Sequence, residues 1–563
     1  MEAQAERVRL CSANRSPDRS SNDRNEHAEP AFRSHKQSCG FLLRWITSDP
    51  TDPFGDGGNG RTASGSHTLS WVEIRNLQAI PLAEIPRLPI EGLRLQLIEK
   101  IKRGGRLVQF FGDKSSDGVV LFAVVADDNA SRLYVASSSF TAERVYRSIT
   151  PEAPSAHLFE REFHEEFGIV PEGHPWLKPV RSSIPGIAGD ETPYEFFSME
   201  GEEVHEVGVG PIHAGIIEPG HFRFSCHGEK VYQLEIKLGF QHRGVEVLFV
   251  RNGGRPIYLE KLAESVSGDT VIGHAGGFIR AIESLADTVV PRRAKLIRTI
   301  ALELERTAVH LGDLSALSGD VAYLTGNSVF GALRTRVINT TMAICGNRFG
   351  RGLLKLGGVN FDITPQLRDK IASMIDELDE DVSLAAEVLF SSASVLERFE
   401  KTGVVNRETA AAIGMVGPAA RASGVKIDVR SDHPFGGFEF IPVHKLTLEG
   451  GDVFARAYIR FVEIQQSIRI IEEQLSGLFA GDMKNELGQL SKNSLVVSLT
   501  EGWRGEIGYV VITNADGKIR KVKVKDPSFH NWLALSLAVR EEGISDFPLC
   551  NKSFNLSYCG FDL

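Results

Sequence analysis

The closing stretch of the chain, Asp546-Phe-Pro-Leu-Cys-Asn-Lys-Ser-Phe-Asn-Leu-Ser-Tyr-Cys-Gly-Phe-Asp-Leu563, constrains the fold more than any other segment. It is rich in aromatics and nearly uncharged, so in water Phe547, Phe554, Tyr558 and Phe561 would expose a large apolar patch. The segment therefore has to be enclosed by residues that precede it. With 563 residues there is enough chain for two or more domains with sizeable cores.

Upstream, the pattern changes along the chain. Residues 1–70 are polar and rich in Gly, Ser and Asp, and stretches such as Asp52 to Arg61 bury too little apolar surface to fold, which predicts a disordered tail. A small α/β domain is predicted over 72–182. There Leu93, Leu95, Leu97, Ile98 and Ile101 are read as a helical pattern, and the runs Leu107–Phe111, Val119–Val125 and Arg132–Ser137 read as strands. Pro, Gly and acidic residues mark 183–204 as a linker.

The remainder, 205–563, opens on a Gly- and Pro-rich turn structure from Val209 to Phe224 and continues in helices. Leu296, Ile300, Leu304 and Leu311 follow one helical repeat, with Arg306 and His310 on one face. Pro365–Arg398 and Val453–Leu478 are amphipathic in the same way. The predicted fold class is α+β, a small α/β domain followed by a mainly helical bundle with peripheral β-sheets.

Composition narrows the function classes. With 42% hydrophobic and 24% charged residues the chain has the make-up of a soluble globular protein, and a net charge of -10 argues against nucleic acid as a partner. The six cysteines, Cys11, Cys39, Cys226, Cys345, Cys550 and Cys559, form no C-x-x-C pair and no zinc spacing, which suggests a reducing compartment. No run approaches the roughly 18 apolar residues of a membrane span. Work at a membrane would require other subunits to hold the chain there.

The closing phrase resembles that of the large subunits of membrane-bound nickel-iron hydrogenases of the formate hydrogenlyase type. In that family it carries one C-x-x-C pair of the metal centre, at positions that read Ser557 and Gly560 here. The partner loop is similar at Glu264-Ser-Val-Ser-Gly-Asp-Thr-Val-Ile-Gly-His274, where the family's cysteines fall on Ser267 and Thr270. Further phrases are similar in the same order: Ala156 to Val170 and Glu172 to Lys178, like the 30-kDa subunit of respiratory complex I; Gln241-His-Arg-Gly-Val-Glu246; Gly417 to Pro434; and Glu501-Gly-Trp-Arg-Gly-Glu506. The resemblance implies a fusion of 30-kDa-like and 49-kDa-like pieces.

Nickel and iron in such a site need soft thiolates, so the resemblance combined with hydroxyls and a glycine at all four positions implies a chain without a nickel-iron centre. The 49-kDa subunit of complex I also lacks the cysteines and takes a quinone head group in the vacated cavity. Its functional His and Asp correspond to His213 and Asp320, an imidazole titrating near neutral pH and a carboxylate that would orient it. The tyrosine that subunit offers from the 264–274 loop has no counterpart there. Glu264 and His274 could relay protons, Glu264 being expected as an exposed turn carboxylate. Arg243 and Arg504 are the cofactor-facing arginines the resemblance implies, while Arg421 with Asp428 and Arg430, and Arg504 with Glu506, are expected as buried ion pairs. Likewise Glu160, Arg161 and Glu162 are expected as an ion-paired packing surface.

The resemblance thus implies a subunit of a complex I-like oxidoreductase, with an NAD(P)H-type donor and a quinone as possible acceptor. It would lie peripherally on the cytoplasmic face of the inner membrane. Expected partners are a small subunit holding a [4Fe-4S] cluster and antiporter-like and anchor subunits in the membrane. The rivals are a working hydrogenase with altered ligands and a non-catalytic scaffold.

Overall fold

A computed structural model describes residues 71–181, 194–201, 203–213 and 217–563. The expected tail, 1–70, and most of the expected linker, 183–204, lie outside the described residues.

The amino-terminal part is built on an antiparallel sheet in the order Val72–Ile74, Arg132–Phe140, Gly118–Asp127, Arg106–Ser115. Its central strand is buried on both faces, and strand alternation sends the two sets of side chains into different cores. Val120, Phe122 and Val124 join the core of the long helices. Leu121, Ala123 and Val125 join a second core with the helices Ile90–Lys102 and His157–Phe167. The two parts therefore do not separate at the linker. Ile80–Pro81 even adds to the sheet Ser494–Gly502, Gly505–Thr513, Ile519–Lys525 of the carboxyl-terminal part, pairing Ile80 with Leu495 and Pro81 with Ser494.

That second part centres on the helix Arg292–Asp320, which buries Leu296, Ile300, Leu304 and Leu311 against Leu324–Cys345 and Val453–Ser476. The segment read as one helix from Pro365 to Arg398 is two, Pro365–Ser391 and Ala393–Phe399, broken where Ser392 turns extended. Serines clustered at 391, 392 and 394 offer the backbone alternative hydrogen bonds, which weakens a helix at that point.

The closing segment is enclosed, as its composition requires. Phe547–Phe554 and Tyr558–Asp562 are short buried helices; Phe547 packs between Phe222 and Phe224 at 5.0 and 4.9 Å, and Phe561 stacks on Phe529 at 5.7 Å. The chain's last residue is bolted to the His242-Arg243-Gly244 turn, for the Leu563 carbonyl accepts the amides of Arg243 and Gly244 at 2.8 and 3.1 Å.

The Glu160-Arg161-Glu162 surface is only partly ionic. Glu162 pairs with Lys523 at 2.7 Å and with Arg181. Glu160 instead accepts the amides and hydroxyls of the 148–150 turn, and Arg161 donates to the carbonyls of Lys178 and Pro179.

Candidate functional site

The turn before the helix Val271–Leu285 and the turn before Tyr558–Asp562 meet in the interior. Ser267 Oγ lies 3.0 Å from Ser557 Oγ, and both residues are buried. The amide of Gly560 donates to Ser557 Oγ at 2.9 Å, and a side chain at 560 would start 2.6 Å from the Asp526 carboxylate. Ser267, Thr270, Ser557 and Gly560 thus lie around one point.

That point is held by Arg504, which stands on the two-residue turn between strands Ser494–Gly502 and Gly505–Thr513. Its guanidinium grips Asp269 in two bonds of 2.6 and 2.7 Å, donates to Thr270 Oγ1 at 3.0 Å and, through Nε, to the Asn555 carbonyl at 2.5 Å. Trp503 braces it from below, with the guanidinium 3.9 Å from the ring centre and the indole N–H donated to the Asp269 carbonyl at 3.1 Å. Burial alone would raise the Asp269 carboxyl, but Arg504 outweighs it and holds the group at about 2. Arg504 therefore does not pair with Glu506, which goes to Lys525 at 2.6 Å and Arg106 at 2.7 Å. The Arg421, Asp428 and Arg430 ion pairs do form, at 3.8 and 2.7 Å, extended by Glu463 and Glu501.

This donor set does not fit nickel and iron. It offers hydroxyls, a glycine and a fixed cation where soft thiolates would be needed. The thiol nearby, Cys559, lies 3.5 Å from Ser557 Oγ and is pushed up to about 11 by burial and the Glu218 carboxylate, so it is not a thiolate at neutral pH.

One turn into the helix, His274 is buried between Asp526 Oδ2 at 2.9 Å and the Tyr509 hydroxyl at 3.1 Å. His274 and Arg504 hold Asp526 ionised against the cost of burial. Nε2 of His274 therefore donates to Asp526, and Nδ1 faces the Tyr509 hydroxyl. That phenol comes from the strand Gly505–Thr513 and not from the 264–274 loop. Glu305 accepts the amides of Ile272 and Gly273 at 2.7 and 3.1 Å, and burial pushes it up to about 8.

The remaining expected residues are scattered around this centre. Glu264 is not an exposed turn residue. It closes the helix Pro256–Ala263, is buried, accepts the Gly352 amide at 2.6 Å and is raised by that burial. Arg243, expected to face a cofactor, donates to the carbonyls of Ser265, Val266 and Cys559 and so clamps both turns.

His213 and Asp320 are not paired with each other. His213 Nε2 lies 2.8 Å from the Gly220 carbonyl and its ring 5.8 Å from Phe222, whereas Asp320 ends its helix facing Lys552 and is raised by burial. Nearer the centre, Asn555 donates to Asp313 at 2.6 Å, and Asp313 pairs with Lys552 at 3.4 Å and Arg460 at 2.8 Å; Asp320 feels the Lys552 charge. Asp269, Asp313, Tyr509, Asp526 and Asn555 are not singled out by the sequence pattern, since the Arg504, Asn555, His274 or Asp313 side chain that each meets here lies far along the chain.

Comparison with known proteins agrees with this architecture. Residues 109–184 match the respiratory-chain NADH dehydrogenase 30 kDa subunit family and residues 320–495 the 49 kDa subunit family. Formate hydrogenlyase subunit 5 of Escherichia coli is 27% identical over 483 residues, 81% of this chain and 84% of that one. The carbon monoxide-induced hydrogenase of Rhodospirillum rubrum is 31% identical over 356 residues, 62% of this chain and 97% of that one. NADH-quinone oxidoreductase subunit 4 of Thermus thermophilus is 28% identical over 376 residues, 61% of this chain and 90% of that one. Among solved structures, a chain of the membrane-bound sulfane sulfur reductase, an archaeal respiratory membrane complex, superposes with a TM-score of 0.60 at 25% identity, covering 64% of this chain and 99% of that one. Among the described residues no helix is long and apolar enough to cross a membrane. The chain belongs to the oxidoreductase-subunit family that unites the 30 kDa and 49 kDa subunits of respiratory NADH dehydrogenase with the large subunits of membrane-bound hydrogenases.

Proposed function

We propose that this chain is the core subunit of a complex I-like, membrane-bound oxidoreductase and works without a nickel-iron centre. Electrons pass from an NAD(P)H-type donor through a neighbouring [4Fe-4S] subunit to a quinone-type acceptor, and membrane partners move ions. The chain is docked at the cytoplasmic face. The observation that carries this reading is Arg504, paired with Asp269 at 2.6 Å amid Ser267, Thr270, Ser557 and Gly560. Those four positions supply hydroxyls and a glycine where thiolates would be needed, and the guanidinium adds no donor atom for a metal.

The chain's own part is to receive the acceptor and supply protons. Phe222, Trp532 and Tyr558 form an apolar wall behind His213, and Glu218 and the Cys559 thiol add polar partners, a set suited to a quinone head group. Quinone reduction consumes protons as well as electrons. His274, fixed by Asp526 and Tyr509, and the Asp313, Lys552 and Asp320 side chains, with Asn555 bonded to Asp313, supply titratable groups between the buried centre and the surface.

The test is elemental analysis of the intact complex for nickel, with hydrogen-uptake and quinone-reduction assays on wild type, His213→Ala and Asp320→Asn. The expected result is no nickel, no hydrogen uptake, and quinone reduction lost in both variants with the complex still assembled. Stoichiometric nickel would overturn the reading. Unchanged turnover in both variants would leave a scaffold.

A further inference from the structure

Away from this centre, beside the far end of the helix Val271–Leu285, lies a cavity of about 330 Å³ with Arg280, Lys295, Leu302 and Phe435 in its wall. The charges of the wall are unequally matched. Arg298 grips Glu283 in bonds of 2.6 and 2.9 Å, and Lys295 lies 3.5 Å from Glu439. Asp287 stands at the exposed rim. Arg280 forms no ion pair among the described residues: one Nη donates to the Thr500 hydroxyl at 2.6 Å, the guanidinium lies 4.4 Å from the centre of the Phe435 ring, and the buried Nε has no partner. Burial and the neighbouring Arg298 pull it down to about 9. Sequestered cations are ordinarily matched by a countercharge, because leaving one unmatched is costly. Here the unmatched cation faces a space at the small end of the range of ligand pockets.

We propose that this cavity binds a small organic monoanion, a carboxylate with a short apolar body, its carboxylate on the Arg280 guanidinium and its body against Leu302, Val290 and Phe435. A planar carboxylate matches the guanidinium fork. A dianion such as phosphate fits less well, because Glu283 and Glu439 stand in the same wall. This inference does not depend on the electron acceptor.

The experiment is calorimetric titration of the full chain, and of its complex, with hexanoate, hexanamide and inorganic phosphate. Hexanoate is expected to bind and the other two not to, and Arg280→Gln should weaken hexanoate by about tenfold or more, the effect of losing one charged hydrogen-bonding partner. Glu439→Gln, which leaves Arg280 in place, should tighten it, and decides the matter should Arg280→Gln fail to fold. The proposal is overturned if hexanamide or phosphate binds as well as hexanoate, if Arg280→Gln binds unchanged, or if Glu439→Gln gives no tightening. Binding seen in the isolated chain but absent in the complex would place a partner's own carboxylate in the cavity, and would overturn it too.

Discussion

Separating Arg504 from Asp269 should loosen the turn that shapes the centre, and the size of the effect follows from the geometry. The pair is bidentate at 2.6 and 2.7 Å, with the Arg504 side chain 4% and the Asp269 side chain 39% exposed. Unit charges 4 Å apart attract by about 4 kcal/mol near a protein surface and by about 1 kcal/mol in bulk water. With one partner buried and the other more than a third exposed, the screened coupling is about 2 kcal/mol. Arg504→Gln also gives up the Asn555 carbonyl and the Thr270 hydroxyl, so alone it should cost about 3–4 kcal/mol, and Asp269→Asn somewhat less.

In so long a chain a single unfolding free energy is poorly defined. The assay is therefore hydrogen exchange of the peptide spanning Ser267 to His274, in a double-mutant cycle of the two substitutions. The pH dependence has a definite sign. Asp269 is depressed from an ordinary 3.8 to about 2, so its contribution is present above about pH 4 and lost as pH falls toward 2. A coupling below about 0.5 kcal/mol, or exchange in the peptide unchanged by either substitution, would refute the claim that this ion pair closes the centre.

Asp128 accepts from Arg106 and from His433 at 2.9 Å, and the Arg106 charge together with these hydrogen bonds holds it far below the usual carboxylate range against burial. Asp128→Asn should cost about 3–5 kcal/mol, read as a lower thermal midpoint, and wild-type stability from this clasp should fade only as pH drops below about 4. Gly417 has φ +71° and a Cβ there would lie 2.0 Å from the Arg504 carbonyl, so Gly417→Ala should cost about 3 kcal/mol or more and raise exchange in the Trp503–Arg504 turn. Tyr509→Phe removes the hydroxyl 3.1 Å from His274; it should lower stability by about 1 kcal/mol and shift the pH profile of turnover, whereas an unshifted profile would remove His274 from the proton route.

What the sequence disclosed and what it hid divide along physical lines. The helix Arg292–Asp320 was legible because its apolar side is written every third or fourth residue, and the burial of the closing segment because four aromatics leave it no alternative. The partners of the centre were not legible, because they are set by tertiary approach. Ser267 and Ser557 are 290 residues apart, and His274 and Asp526 are 252 apart. The pairing of Arg504 with Glu506 failed because Arg504 lies on the turn while Glu506 is already in the strand, aimed at Lys525. Glu264 looked like a solvated turn residue because its cover, the Gly352 segment, lies 88 positions away.

The short strand Ile80–Pro81 has a consequence for dissecting the molecule. Together with neighbouring residues it closes one side of Ser494–Gly502: Leu77 donates to the Val497 carbonyl at 2.9 Å, Asn76 brackets Leu499 through both side-chain atoms, and Leu82 donates to Asn493 at 2.7 Å. A fragment starting at residue 205 would leave that row of amides and carbonyls open beside the buried Leu495, Val496 and Val497, a template for pairing with another copy. Carrying both pieces on one polypeptide keeps the cap at high effective concentration, so the edge is covered at any protein dilution.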